Sequence, residues 1–157
     1  MSRVDSSTLV FFDASCLIAA AVSSTGGSAF VWRLCERGLL SAAVSLAVLA
    51  EAESNLSAKF EPECLQRHRH QLRAGAPRVA PIPRLDVQPR LFPGINPKDE
   101  HVVAAAHAIR ADILLTLDQP LAAEIERSGL GILARSPGEC IRLDLPAHSL
   151  FASLREE

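Results

Sequence analysis

Three aspartates of this chain stand in rhyming contexts. Asp13 closes the apolar run Thr8-Leu9-Val10-Phe11-Phe12, and Asp118 follows Ile113-Leu114-Leu115 by way of Thr116. Asp99 opens a helical pattern that starts at Asn96-Pro97. Val102, Val103, Ala106 and Ile109 lie three, four, seven and ten residues beyond Asp99, so it shares their apolar stripe. A carboxylate on such a stripe is a cost unless its charge is used. Carboxylates gathered at one place raise one another's pKa values, and a divalent ion removes that repulsion. Hard ions such as Mg²⁺ or Mn²⁺ take carboxylate oxygens, activate water and neutralise charge building on a phosphate. The chemistry in view is that of a hard metal ion held by carboxylates, should the fold bring the three together.

Each acid alone has a plainer reading. Asp99 suits the first turn of a helix capped by Asn96, and Asp118 suits the N-cap of a helix starting at Gln119-Pro120. No Ser-His-Asp or Cys-His arrangement is legible, and His101 and His107 fall on different helix faces. The scattered cysteines, Cys16, Cys35, Cys64 and Cys140, lack the close pairing of a zinc site. A phosphatase with an Asp nucleophile would carry a second Asp where Ser15 stands. A receiver domain would carry a Lys after its last strand, and none follows Lys98.

The elements that must position these acids follow from hydrophobic pattern. Thr8–Phe12 reads as a central strand of a parallel sheet, buried on both faces. Short helices are expected over residues 16–22 and 29–37, the second closed by Gly38, with 23–28 between them as a flexible loop. Ser41–Ser45 is a weak strand. Residues 46–60 are helical, with Val48, Leu49, Ala52 and Leu56 on the apolar face. Glu51 and Glu53 flank that face equally, and periodicity does not choose between them. A helix follows from Pro62 to about Ala74, then a proline-rich strand end and loop over 79–94. Ile113–Leu115 is a buried strand, 120–128 a helix, Ile132-Leu133 a short strand, and Pro137 starts a last helical turn. Residues 1–7 are expected to fray, and the chain from Pro146 to be peripheral. Strand and helix alternate, which predicts one three-layer α/β domain over residues 1–157 with a mostly parallel sheet.

Composition excludes several classes. Hydrophobic content is 48% and charged content 22%, ordinary for a soluble globular chain. No apolar run approaches the ~20 residues of a membrane span, and no secretory leader is evident, so a cytoplasmic protein with reduced thiols is expected. Tyr is absent, which speaks against aromatic stacking platforms for single-stranded bases. Net charge is −2, yet Arg67 to Arg90 holds six arginines against Asp86, a local charge of about +5. Arg67, Arg69 and Arg73 share one helix and suit a polyanion's phosphates. A solvated helix face accounts for the same charges.

Taken together, strand-Asp13-x-Ser15, Ser45-x5-Glu51-x4-Leu56, Asn96-x2-Asp99-x6-Ala106 and Ala111-Asp112-x3-Thr116-x-Asp118 resemble a PIN domain. Pro137-Gly138-Glu139 resembles that family's last helix, so the resemblance spans about residues 8–143. It implies an α/β/α sandwich around a roughly five-stranded sheet. It implies Asp13, Glu51, Asp99 and Asp118 as the catalytic, metal-holding acids, which selects Glu51 over Glu53. Ser15 and Thr116 match the family's supporting hydroxyls. Asn96 stands where an extra Asp is common, and Ala14 precedes a Ser that is often Asn. The activity implied is that of an Mg²⁺- or Mn²⁺-dependent endoribonuclease similar to the VapC-like toxins of toxin–antitoxin pairs. RNA as substrate, a cognate antitoxin and a homodimer follow from the same resemblance. A non-catalytic PIN module that binds RNA or protein is the alternative.

Overall fold

The computed structural model describes residues 3–81 and 92–151. In chain order come β1 (Leu9–Phe12), α1 (Ala14–Val22), α2 (Gly27–Glu36), β2 (Ser41–Val44), α3 (Leu46–Lys59), α4 (Pro62–Gly75) and β3 (Arg78–Val79). A 3₁₀ turn (Pro97–Asp99) leads into α5 (Glu100–Ala108), β4 (Ile113–Leu115), α6 (Gln119–Ser128), β5 (Leu133–Arg135) and α7 (Pro137–Glu139). The strands form one parallel sheet in the order β3-β2-β1-β4-β5. This is the three-layer α/β/α fold expected from the sequence.

The order explains where a site can form. From β1 the chain steps outward through β2 to β3, then returns to place β4 on the other side of β1, with Phe12 beside Leu115. The carboxyl ends of β1 and β4 therefore flank the point where strand order reverses, and open α/β sheets bind ligands in that crevice. Both strands are fully buried, which is why they read as unbroken apolar runs.

On one side of the core the side chains leave no slack. Trp32 of α2 meets Phe12 edge-on, with ring centroids 4.9 Å apart, and its indole N–H donates to the Gln71 carbonyl at 2.9 Å. Gly75, at the end of α4, lies against that indole: a Cβ there would stand 2.4 Å from Cζ2. Gly75→Ala should therefore destabilise the protein. Overpacking a locked ring costs about 1–3 kcal/mol, against a gain of up to about 1 kcal/mol from alanine's helix propensity. Urea denaturation should show a lower midpoint; a higher one would mean that α4 moves freely off Trp32.

Several boundaries differ from expectation, each for a physical reason. Of the first seven residues, those described from 3 onward do not simply fray: Val4 is 1% exposed and pairs with His148. His148, beyond Pro146, is itself buried, its Nε2 2.8 Å from the Leu39 carbonyl and its Nδ1 accepting from Leu150 N at 3.0 Å. The two ends thus anchor one another through contacts no local pattern announces. Gly27 and Ser28 belong to the first turn of α2, not to the loop before it. Ser45 leaves its strand to cap α3, accepting from Val48 N at 3.2 Å. β5 starts at Leu133, one residue later than the sequence suggests, because Gly131 turns with φ +80° and Ile132 is buried ahead of the pairing with Ile113. The last helical turn from Pro137 opens with a capping box between Ser136 and Glu139 and continues as a π-helical turn through Asp144. Much of the proline-rich loop, with Arg84, Asp86 and Arg90, lies outside the described residues.

Cys16, Cys35 and Cys140 are buried and unpaired, and burial pushes the Cys16 and Cys140 thiols up to about 12. These are inert packing residues. Among the described residues no single helix is long and apolar enough to cross a membrane. α1 and α2 reach that length only together, across a 95° bend.

Candidate metal centre at the strand-order switch

Each acid is delivered by an element end. Asp13 follows β1 directly and caps α1, its Oδ1 accepting from Ala14 N at 2.8 Å. Asp118 follows β4 and caps α6, its Oδ1 accepting from Leu121 N at 3.0 Å. Asp99 ends the 3₁₀ turn before α5, and Glu51 lies on the second turn of α3. The capping role of Asp118 and a role for its charge are compatible, since no hydrogen bond among the described residues engages its Oδ2.

All four carboxylates line one cleft of about 440 Å³, together with Ser15, Asn55, Lys98 and His101. Glu53 does not line it; its carboxylate is held by Arg69 of α4 at 2.8 Å. That separates the two glutamates where periodicity could not.

Two hydroxyls tie the strand ends together. Thr116, 1% exposed, donates to Asp13 Oδ2 at 2.8 Å and accepts from Asp118 N at 3.1 Å. Ser15 accepts from Leu117 N at 3.1 Å and lies 3.5 Å from Asp13 Oδ2. The backbone adds Asp13 N to Leu115 O at 3.0 Å. Asn96 stays outside the cleft and caps the 3₁₀ turn, its side chain accepting from Lys98 N at 3.2 Å.

The electrostatics agree with a crowded anionic site. Burial raises the Asp99 carboxyl above the ordinary range, Lys98 opposes that, and Asp118, Asp13 and Glu124 add to it. Glu124 of α6 also accepts from Asn96 N at 3.2 Å. Sequence reasoning missed Asn55, which only the topology brings to the cleft, and Lys98 and His101, which reach it beside Asp99; Glu124 does not line the cleft and bears on it through Asn96 and its charge. Four carboxylates and the Ser15 hydroxyl dominate the donors, beside one amide (Asn55) and one imidazole (His101), and an oxygen-rich set suits a hard divalent ion better than copper. Among the described residues no three such groups are drawn onto a single point. An ion would have to gather side chains that already face the same space.

The α4 arginines stand apart. Arg67 is half-buried and donates to the Ala21 carbonyl, Arg69 pairs with Glu53, and Arg73 is exposed. None of them lines the cleft.

Comparison with known proteins agrees with the fold. PAE2754 from Pyrobaculum aerophilum superposes with a TM-score of 0.55 at 18% identity, covering 96% of this chain and 91% of that one. VapBC2 from Rickettsia felis, bound to a DNA fragment from its promoter, gives a TM-score of 0.52 at 15% identity over 82% of this chain and 98% of that one. No curated protein sequence matches. A family model described as a PIN domain matches residues 9–120, which takes in β1, β4 and all four cleft acids. This chain belongs to the PIN domain family.

Proposed function

We propose that this protein is a metal-dependent endoribonuclease and the toxin of a toxin–antitoxin pair. The observation that carries the reading is the convergence of Asp13, Glu51, Asp99 and Asp118 from four separate elements on one cleft at the strand-order switch. A fold gathers that much like charge at a cost, which a bound cation removes. In this reading Asp13, Asp99, Asp118 and Glu51 hold Mg²⁺ or Mn²⁺, which when bound supplies an activated water and neutralises charge on the phosphate. Ser15 and Thr116 hold Asp13 and the Asp118 loop in position, and Asn96 fixes the turn that carries Asp99. Arg69 and Arg73 on the face of α4 suit the RNA backbone at a distance from the chemistry, with Arg67 committed to α1. An antitoxin partner is supported by likeness to VapBC2. A homodimer belongs to the same reading.

The test is calorimetric. Mn²⁺ or Mg²⁺ at millimolar concentration should raise the unfolding temperature, as a ligand of the folded state must. Absence of binding in the wild type would leave a non-catalytic module for RNA or protein as the better account. That alternative draws on the spread of the carboxylates across the cleft.

The glutamates supply an internal control. Glu51→Gln should remove cleavage while leaving the fold intact. Glu53→Gln loses only an exposed ion pair with Arg69, worth about 0–1 kcal/mol, and should keep both activity and stability. A single-turnover cleavage assay beside thermal denaturation separates the two. The reverse pattern would move the site toward α4.

A further inference from the structure

We propose that Lys98 is the substrate-contacting cation of this cleft, its ammonium holding a non-bridging oxygen of the phosphodiester under attack. The proposal rests on the nuclease reading above and adds to it a residue that the acidic pattern does not contain.

Four carboxylates repel a polyanion, so the cleft needs a positive group of its own. Of the described residues that line it, Lys98 alone is Lys or Arg. The arginines of α4 do not serve there, because none of them lines the cleft, and Arg67 and Arg69 are engaged with Ala21 and Glu53. Lys98, by contrast, is exposed and makes no ion pair among the described residues.

Its backbone is pinned while its side chain makes no ion pair among the described residues. Pro97 sets the backbone before it, the Asn96 side chain accepts from Lys98 N at 3.2 Å, and Asp99 N donates to Asn96 O at 2.9 Å. Asn96 N is in turn held by Glu124 at 3.2 Å. A flexible four-carbon stem on a pinned turn lets a compact point charge follow the phosphate as charge grows on its oxygens. Lys98 forms no covalent bond and moves no proton in this role.

A structural role would look different. A lysine that only relieves repulsion among the acids would change metal binding; one that holds phosphate changes RNA binding. The experiment therefore reads both in wild type, Lys98→Ala and Lys98→Arg. The probes are Mn²⁺ and a short single-stranded RNA. RNA affinity is measured in EDTA across a salt series, cleavage and thermal protection in Mn²⁺. For Lys98→Ala the salt slope should fall by about 0.7, one phosphate contact on a single strand. Its kcat should drop about 10²-fold, on the scale of one lost transition-state donor. Mn²⁺ protection should persist or grow, and Lys98→Arg should recover most of the slope. Unchanged slope and kcat in Lys98→Ala would overturn the assignment, as would a loss of cleavage matched by loss of Mn²⁺ protection. Failure of the nuclease reading shows separately, as a wild type with neither protection nor cleavage in Mn²⁺, and it would overturn both.

Discussion

Asp13→Asn should abolish Mn²⁺-dependent cleavage, by at least about 10²-fold, and remove most of the metal's thermal protection while leaving the apo fold as stable as before. The asymmetry follows from what each oxygen of Asp13 does. Oδ1 caps α1 through Ala14 N, and asparagine caps a helix about as well as aspartate. Oδ2 accepts from Thr116, whose hydroxyl can rotate to accept from an amide instead. Only the Thr116 hydroxyl proton loses its acceptor, a loss set against the relief of like-charge repulsion, so stability survives. What disappears is a charge facing Asp99, whose carboxyl burial raises and Asp118 and Asp13 raise further. Without metal that loss relieves repulsion, so the apo variant should melt no lower than wild type. With metal it should gain far less. Asp118→Asn should behave alike, because Asp118 also spends one oxygen on a cap. Thermal denaturation with and without Mn²⁺ gives both signs. An apo variant that melts well below wild type would make Asp13 a structural residue.

The legibility of this chain varied with how local each determinant is. β1 and β4 are buried on both faces, so their sequences are unbroken apolar runs and could be read directly. β3 is two exposed residues, and β5 is half-buried throughout; neither carries a periodicity strong enough to set its ends. Asp13, Asp99 and Asp118 were legible because each interrupts or ends an apolar pattern. Glu51 and Glu53 were not separable by pattern, since both flank the same stripe. Arg69 decides the matter by drawing Glu53 toward α4 from sixteen residues away. Asn55 enters the site only because the fold brings α3 beside the turn before α5, whereas Lys98 and His101 arrive as neighbours of Asp99. The pairing of Val4 with His148 joins the two ends of the fold, beyond any window of local sequence.

Thr116→Val should both loosen the fold and slow the chemistry, and Thr116→Ser should restore both. The side chain is 1% exposed and nearly isosteric with valine, so packing is kept and only hydrogen bonding changes. Its hydroxyl is the one atom that touches both strand-end acids, donating to Asp13 Oδ2 and accepting from Asp118 N. Valine leaves that half-buried amide without its acceptor. It leaves Asp13 Oδ2 with only the long 3.5 Å approach of Ser15. A buried polar group stripped of its partner costs about 1–3 kcal/mol; one group here is half-buried and the other keeps Ser15, so urea denaturation should register a loss in the lower part of that range. The kinetic consequence is separate. Asp13 and the Asp118 loop are no longer held to one another, so the acids sample a wider space and fewer molecules present them together. Cleavage should fall at least tenfold, on the scale of ~10²-fold for a small misplacement of reacting groups, and the Mn²⁺ needed for half-maximal rate should rise. Saturating Mn²⁺ should recover part of the rate, which loss of a catalytic carboxylate would not allow. Should the valine variant keep wild-type Mn²⁺ dependence despite lower stability, Thr116 serves the fold alone, and the alignment of the acids comes from the sheet itself.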